Sequence, residues 1–324
     1  MNARIINISL LLLFTSLLGF NSAIAGNPGE LHTDNFDYYG GITNGEPDGF
    51  GIASYHDGRK YTGYWNNGYK EGLGKIEYPD STMDFGRWVR GRLSQTEGRA
   101  FTVGERVYGI DVSKYQRTIN WSRLALPCSS RGLITKAGKY IQPVFFILVK
   151  STQGTTLRNE FFKSQFEGAK EHGIVRGAYH FLSPNSSGKE QARYFIANTP
   201  LVSGDMPPVL DLEINRRTMA RNHAKILRIA REWLTEIEKH YKVKPIIYTY
   251  DNYYRQYLHG HGFDDYEFWI ANYSEEPRHR DCIIWQFADD GKALGIDHNV
   301  DLNRFCGGNY IDFISWLQTH SIPE

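Results

Sequence analysis

Two carboxylates stand two residues apart in the stretch PPVLDLEIN, at Asp211 and Glu213. The apolar Val209, Leu210 and Leu212 around them read as a buried strand. Alternate strand residues point to one face, roughly 6.6 Å apart along the chain. A buried charge is costly unless it is paired or put to use. Two acids on one face of an apolar strand are therefore candidates for proton-transfer chemistry. Other polar groups fall at the carboxyl ends of further apolar runs: Asp111 in VYGIDV, Gln153 in KSTQG, His180 in VRGAYHF and Tyr250 in KPIIYTY. Trp269, Asn272 and Tyr273 belong to EFWIANY, Gln286 to IIWQFA and Asp301 to NVDLN. If these runs are strands of one barrel, all of these groups converge on one mouth.

The elements that must position them are legible as an alternation. Between the apolar runs lie stretches of helical period. In NEFFKSQFEGAKEHG, Phe162, Phe166 and Ala169 share a face and Gly173 ends the helix. In TMARNHAKILRIAREWLTEIEKHY, Ile226, Ile229, Ala230, Trp233 and Ile237 do the same. Repeated strand–helix alternation predicts an α/β fold with a parallel sheet and right-handed crossovers. Eight strands predict closure into a barrel. The last three strands lack long helices between them and are expected to pair antiparallel.

The runs YGIDVSKYQRTINW, FILVKSTQG, VRGAYHF, PPVLDLE, FWIANY and IIWQFADDGKALGIDHNVDLN together resemble glycoside hydrolase family 25, the Chalaropsis-type lysozymes. The resemblance covers about residues 107–305. It implies a barrel-like β/α domain with irregular last strands. The implied activity is cleavage of the β-1,4 bond between N-acetylmuramic acid and N-acetylglucosamine in peptidoglycan. Matched by position, Glu213 is the implied acid and Asp211 its partner, with Asp111 and Asp301 lining the cleft. Such cleavage needs one group to protonate the leaving oxygen and one to stabilise the cationic sugar. Asp211 either attacks the sugar or orients the substrate's own acetamido group; the substrate-assisted route is favoured. His180, Tyr250, Trp269, Asn272, Tyr273, Gln286 and Gln153 are the candidate substrate-binding residues. One departure stands out: the family pattern Lys-Ala-Thr-Glu-Gly is KSTQG here, so a neutral amide at Gln153 replaces a carboxylate, behind Lys150.

Upstream the sequence changes character. A step of 23 residues relates Gly40, Gly63 and Gly86, Tyr55 and Tyr78, and the turn triplets TNG, NNG and VRG. Asn-Gly between strand-like runs signals tight hairpins. YTGYWNNGYKEGLGKIEYPD resembles a MORN repeat, and the resemblance covers about residues 36–93. It implies a small all-β hairpin array with a protein or lipid partner; a meander packed on its neighbour is the plainer reading.

The expected organisation is a signal peptide over 1–25, the repeat region over 26–94, a polar linker over 95–106 and the catalytic domain over 107–324. Arg4, an apolar stretch and Ala23-Ile24-Ala25 carry the export reading, so a secreted or periplasmic protein is expected. A net charge of +1 gives no electrostatic case for nucleic acid. No cofactor is expected; the HGHG at His259–Gly262 reads as a polar loop and Asp297 as a turn residue. A monomer is expected. Of the three cysteines, Cys282 and Cys306 lie equally far from a loop near Ala293 and Leu294, which predicts a disulfide between them; two buried thiols are the alternative. Two other functions stay open from sequence: a glycan-binding scaffold that does not cut, and a hydrolase of a related N-acetylated polymer such as chitin.

Overall fold

The computed structural model describes residues 27–79, 83–93 and 106–323, apart from Ser130, Lys139 and Gly173. The expected signal peptide and nearly all of the linker lie outside the described residues.

The first body is a seven-stranded antiparallel meander in sequence order: β1 (Asn27–His32), β2 (Phe36–Thr43), β3 (Glu46–Tyr55), β4 (Lys60–Asn66), β5 (Tyr69–Glu77), β6 (Met83–Val89) and β7 (Arg92–Leu93). The 23-residue step is physical. The turns Asn44-Gly45, Asn67-Gly68 and Arg90-Gly91 each place both residues at positive φ, as tight primed hairpin turns demand. Tyr38 lies over Gly51, and Tyr61 lies over Gly74 one step later. A Cβ on either glycine would sit 2.2 Å from the tyrosine oxygen. Each ring also meets a tryptophan edge-on at 5.3 Å, Tyr38 on Trp65 and Tyr61 on Trp88. This aromatic ladder is the core of the sheet.

The second body is a closed barrel. Its strands are β8 (Tyr108–Val112), β11 (Phe146–Gln153), β13 (Val175–Phe181), β14 (Val209–Asp211), β15 (Ile246–Tyr250), β16 (Phe268–Ala271), β17 (Cys282–Gly291) and β18 (Val300–Phe305). A small hairpin, β9 (Ala125–Cys128) with β10 (Tyr140–Pro143), precedes β11, and the two-residue β12 (Leu157–Arg158) folds back on its end. The ring runs in the order given, all parallel from β8 to β17, and β18 closes it antiparallel to both β17 and β8. The expectation of three antiparallel strands at the end is thus corrected. Only the last closes that way; the ten residues from Asn272 to Asp281 suffice to return the chain so that β16 and β17 run parallel.

Helices α1 (Phe162–Glu171), α2 (Gly188–Asn198) and α3 (Arg216–Tyr241) pack outside. Ser187 and Glu190 form a reciprocal cap that starts α2, and the Asn215 side chain caps α3. Inward-facing Phe146, Leu148, Tyr179, Tyr248 and Trp269 fill the barrel. Its amino-terminal end is stoppered by Phe313 and Trp316 of α4 (Tyr310–His320), with Phe313 5.6 Å from Phe146 and 5.2 Å from Phe305. At that same end the buried Arg176 pairs with Asp205 at 2.7 Å.

The predicted disulfide is not formed. The Cys282 and Cys306 sulfurs stand 3.8 Å apart as two thiols, although β17 and β18 are the antiparallel neighbours that the prediction required. Contact between the sulfurs is there, and the covalent distance of about 2.05 Å is not.

Candidate active site

Because strand side chains alternate, the inward residues of each barrel strand form layers, and the top layer is acidic. Asp111 and Asp301 are direct partners across β8 and β18, the pairing that closes the ring. Asp111 is 5% exposed, and its Oδ1 accepts from Gln286 Nε2 at 2.9 Å and Asn303 Nδ2 at 2.8 Å. Asp301 hydrogen-bonds Asp111. Burial and the Asp111 charge push the Asp301 carboxyl up to about 9, so Asp301 keeps its proton at neutral pH and donates it to Asp111. Burial also raises Asp111, and the two amide donors oppose that rise.

Asp211 ends β14 with 4% of its surface exposed. Its Oδ1 has no hydrogen-bond partner among the described residues. Burial, then the Glu213 charge, lift its carboxyl well above the usual range, and Lys150 pulls it back. Glu213, half-buried just past the strand end, is raised by burial and restrained by the hydroxyl of Tyr250. Neighbouring carboxyls of this kind titrate as a pair. Tyr179 and Tyr248 stand among the acids with hydroxyls held protonated by burial and the surrounding charge. A cleft of about 950 Å³ opens beside the cluster, sharing Asp111, Tyr179 and Asp301 with it; Tyr115, Lys292 and His298 line its outer part, and Asp211 and Glu213 lie outside its lining.

The structure sorts the other expected residues. Tyr250 and Tyr273 are at the mouth, 39% and 44% exposed. Gln153 is there too, accepting from Lys150 Nζ at 3.1 Å. Asn272 ties its own loop, its side-chain oxygen accepting from the amides of Ser274 and Glu275. Three expectations are corrected. His180 points outward from β13, wholly buried against α2 and α3. It bonds Thr152 at 2.7 Å and Gln191 at 3.1 Å, stacks on Trp233, and burial lowers its pKa to about 4. Trp269 faces inward but lies under the mouth, 2% exposed, with its indole donating to Asn303 at 2.8 Å. It offers no open ring face. Gln286 is also sealed at 2% exposure: its carbonyl accepts from Tyr248 and Tyr273 while its amide holds Asp111. It buttresses the acid site from below. Sequence reading missed Asn303, Tyr248 and Tyr115. The first two had a signal, since Asn303 lies two residues after Asp301 and Tyr248 two before Tyr250, on the same inward faces. Tyr115, 71% exposed in a turn, had none.

A closed barrel that gathers carboxyls at its mouth, with Asp301 among them protonated at neutral pH, has the arrangement that glycoside hydrolysis requires. Residues 110–296 match the sequence model of Glycosyl hydrolases family 25, more than half of the chain, and the chain belongs to that family. The uncharacterized protein YegX of Escherichia coli K12 is 35% identical over 204 residues, 62% of this chain and 70% of that one. Lysozyme M1 of Streptomyces globisporus is 32% identical over 229 residues, 66% and 71% of the two chains. Among solved structures, the bacterial lysozyme of Streptomyces coelicolor superposes with a TM-score of 0.54 at 28% identity, over 68% of this chain and 99% of that one.

Proposed function

We propose that this glycoside hydrolase is an exported lysozyme, an N-acetylmuramidase that cuts the β-1,4 bond between N-acetylmuramic acid and N-acetylglucosamine in peptidoglycan. The observation that carries the reading is the buried Asp211–Glu213 pair at the barrel mouth. Glu213 is the general acid: burial raises its proton affinity, which favours a proton available for the leaving oxygen. Asp211 orients the substrate's acetamido group, whose N–H is the kind of donor that its unpartnered Oδ1 lacks, so that the acetamido oxygen attacks the anomeric carbon. Asp111 and Asp301 share one proton between them and face the developing cation with a single negative charge. Glu213→Gln keeps the shape and removes the proton. Acid catalysis is worth roughly 10²- to 10⁴-fold, so release of reducing ends from purified peptidoglycan should fall at least about a hundredfold with the thermal melt unchanged. Near-normal turnover would end the assignment. The family membership and the lysozyme among the relatives support this substrate over chitin, and chitin oligomers are the control.

The same reading divides the chain into a signal peptide over 1–25, a MORN-repeat region over 26–94, a linker over 95–106 and a catalytic domain over 107–324. The mature protein is secreted or periplasmic and monomeric. The repeat sheet serves to dock the enzyme on a protein or lipid partner near its polymer. All candidate catalytic residues lie at Asp111 or later, which supports the division.

A further inference from the structure

Lys150 enters the barrel mouth from β11, above the inward-facing Phe146 and Leu148. Its Nζ donates to Gln153 Oε1 at 3.1 Å and lies 4.4 Å from the centre of the Phe181 ring. Among the described residues it forms no ion pair. Phe181 is the direct sheet partner of Asp211, so the half-buried ammonium over its ring stands one strand away from that carboxyl, and in a water-poor site its field reaches it. The charged and titratable groups that act on it are Asp211 and Glu213 from β14 and its end, Lys114 from the turn after β8 and His180 from β13, while Asp111 from β8 and the Tyr250 hydroxyl from β15 act on the carboxyl pair itself. Burial lowers the pKa of Lys150; Asp211 and Glu213 favour its charged form, and Lys114 opposes it.

We propose that Lys150 is a positioning residue of the acid site: its ammonium, left uncompensated by the amide at Gln153, sets the proton affinity of the Asp211–Glu213 pair and so the upper pH limit of catalysis. The part concerning catalysis rests on Glu213 being the acid. The direction follows from charge. A cation beside the pair favours its carboxylate form, so the proton needed for catalysis leaves at lower pH. Removing the cation, or giving it a carboxylate partner, raises the pair's proton affinity and moves the alkaline limb of activity upward.

The test uses Lys150→Met, which removes the charge, Gln153→Glu, which neutralises it at nearly constant shape, and Lys150→Arg, which keeps it. Carbon-13 carboxyl titration by NMR and the pH profile of kcat are recorded for each full-length protein. Both Lys150→Met and Gln153→Glu should raise the carboxyl titration and the alkaline limb by about one pH unit, with Lys150→Arg close to wild type. A merely structural Lys150 would not make a charge deletion and a charge addition move the curve the same way. Carboxyl titrations that stay in place in both variants, or move in opposite directions, overturn the proposal. A raised titration with an unmoved rate limb upholds the electrostatic link and refutes Glu213 as the acid.

Discussion

Asp301→Asn offers the sharpest check of how the acid site is charged. In the folded protein Asp301 holds its proton to about 9, against a reference of 3.8. A carboxyl whose folded pKa is raised contributes stability that is complete below the unfolded pKa and is lost as pH climbs toward the folded one. Between pH 5 and pH 8 the folded chain therefore carries one proton more than the unfolded chain. Each pH unit removes about 1.4 kcal/mol, which sets a ceiling of about 4 kcal/mol over the window. Asp301 is half-buried and shares its proton with Asp111, so about 2 kcal/mol is the expected figure. The asparagine can still donate to Asp111 and has no proton to lose. His180, depressed to about 4, destabilises the fold as pH falls below 6.5, but it does so in both proteins and cancels in the difference. Urea unfolding of wild type and variant at pH 5, 6, 7 and 8, followed by tryptophan fluorescence, should show the variant gaining on wild type steadily with pH. A difference that stays flat within about 0.5 kcal/mol would mean that Asp301 is ionised in the native state, and the single shared proton would be wrong.

Gly74→Ala puts a methyl 2.2 Å from the Tyr61 oxygen, so the repeat sheet should lose about 2 kcal/mol, read as a lower melt with barrel unfolding unchanged. Arg176→Met leaves Asp205 as a buried unpaired charge and should cost about 3 to 5 kcal/mol in chemical denaturation; a loss under about 1 kcal/mol would contradict the ion pair. Tyr115→Ala should raise KM for glycan fragments several-fold while leaving kcat near wild type, because the ring stands 71% exposed at the cleft. A chain beginning near residue 105 should cut short soluble fragments at close to the full rate and lose activity on intact sacculi, where docking raises local concentration; a truncated protein that melts cooperatively yet cannot cut short fragments refutes the two-part organisation.

Much of this was legible because it depends on local chemistry. The Tyr38–Gly51 and Tyr61–Gly74 contacts recur at the 23-residue step because each ring needs a missing side chain opposite it. The acids at the strand ends announced themselves by being acids in apolar runs. What failed was direction. A strand buried on both faces carries no alternation of polarity, so nothing in VRGAYHF says that Tyr179 faces the barrel and His180 the helices. Depth failed for a similar reason: Trp269 has the right face, but its position below the rim depends on barrel register. The direction of β17 was misread because a crossover without a helix looks like a hairpin until the ring is closed. Helix α2 and the β9–β10 hairpin are short, and their burial is set by long-range neighbours.

The stoppered base and the β8–β18 seam also constrain how the molecule comes into being. Asp111 sits on the barrel's first strand, and its partners Asp301 and Asn303 sit on the last, Asn303 being 192 positions away along the chain. Until that seam zips, the ring is an open sheet with two bare edges and Phe146 has no Phe313 beneath it. Such long-range pairing is slow and comes late. An emerging chain therefore lacks the joined Asp111–Asp301 pair until its last barrel strand is in place. The acid site is thus completed only with the joining of the barrel's first and last strands, and no amino-terminal part of the barrel can hold it.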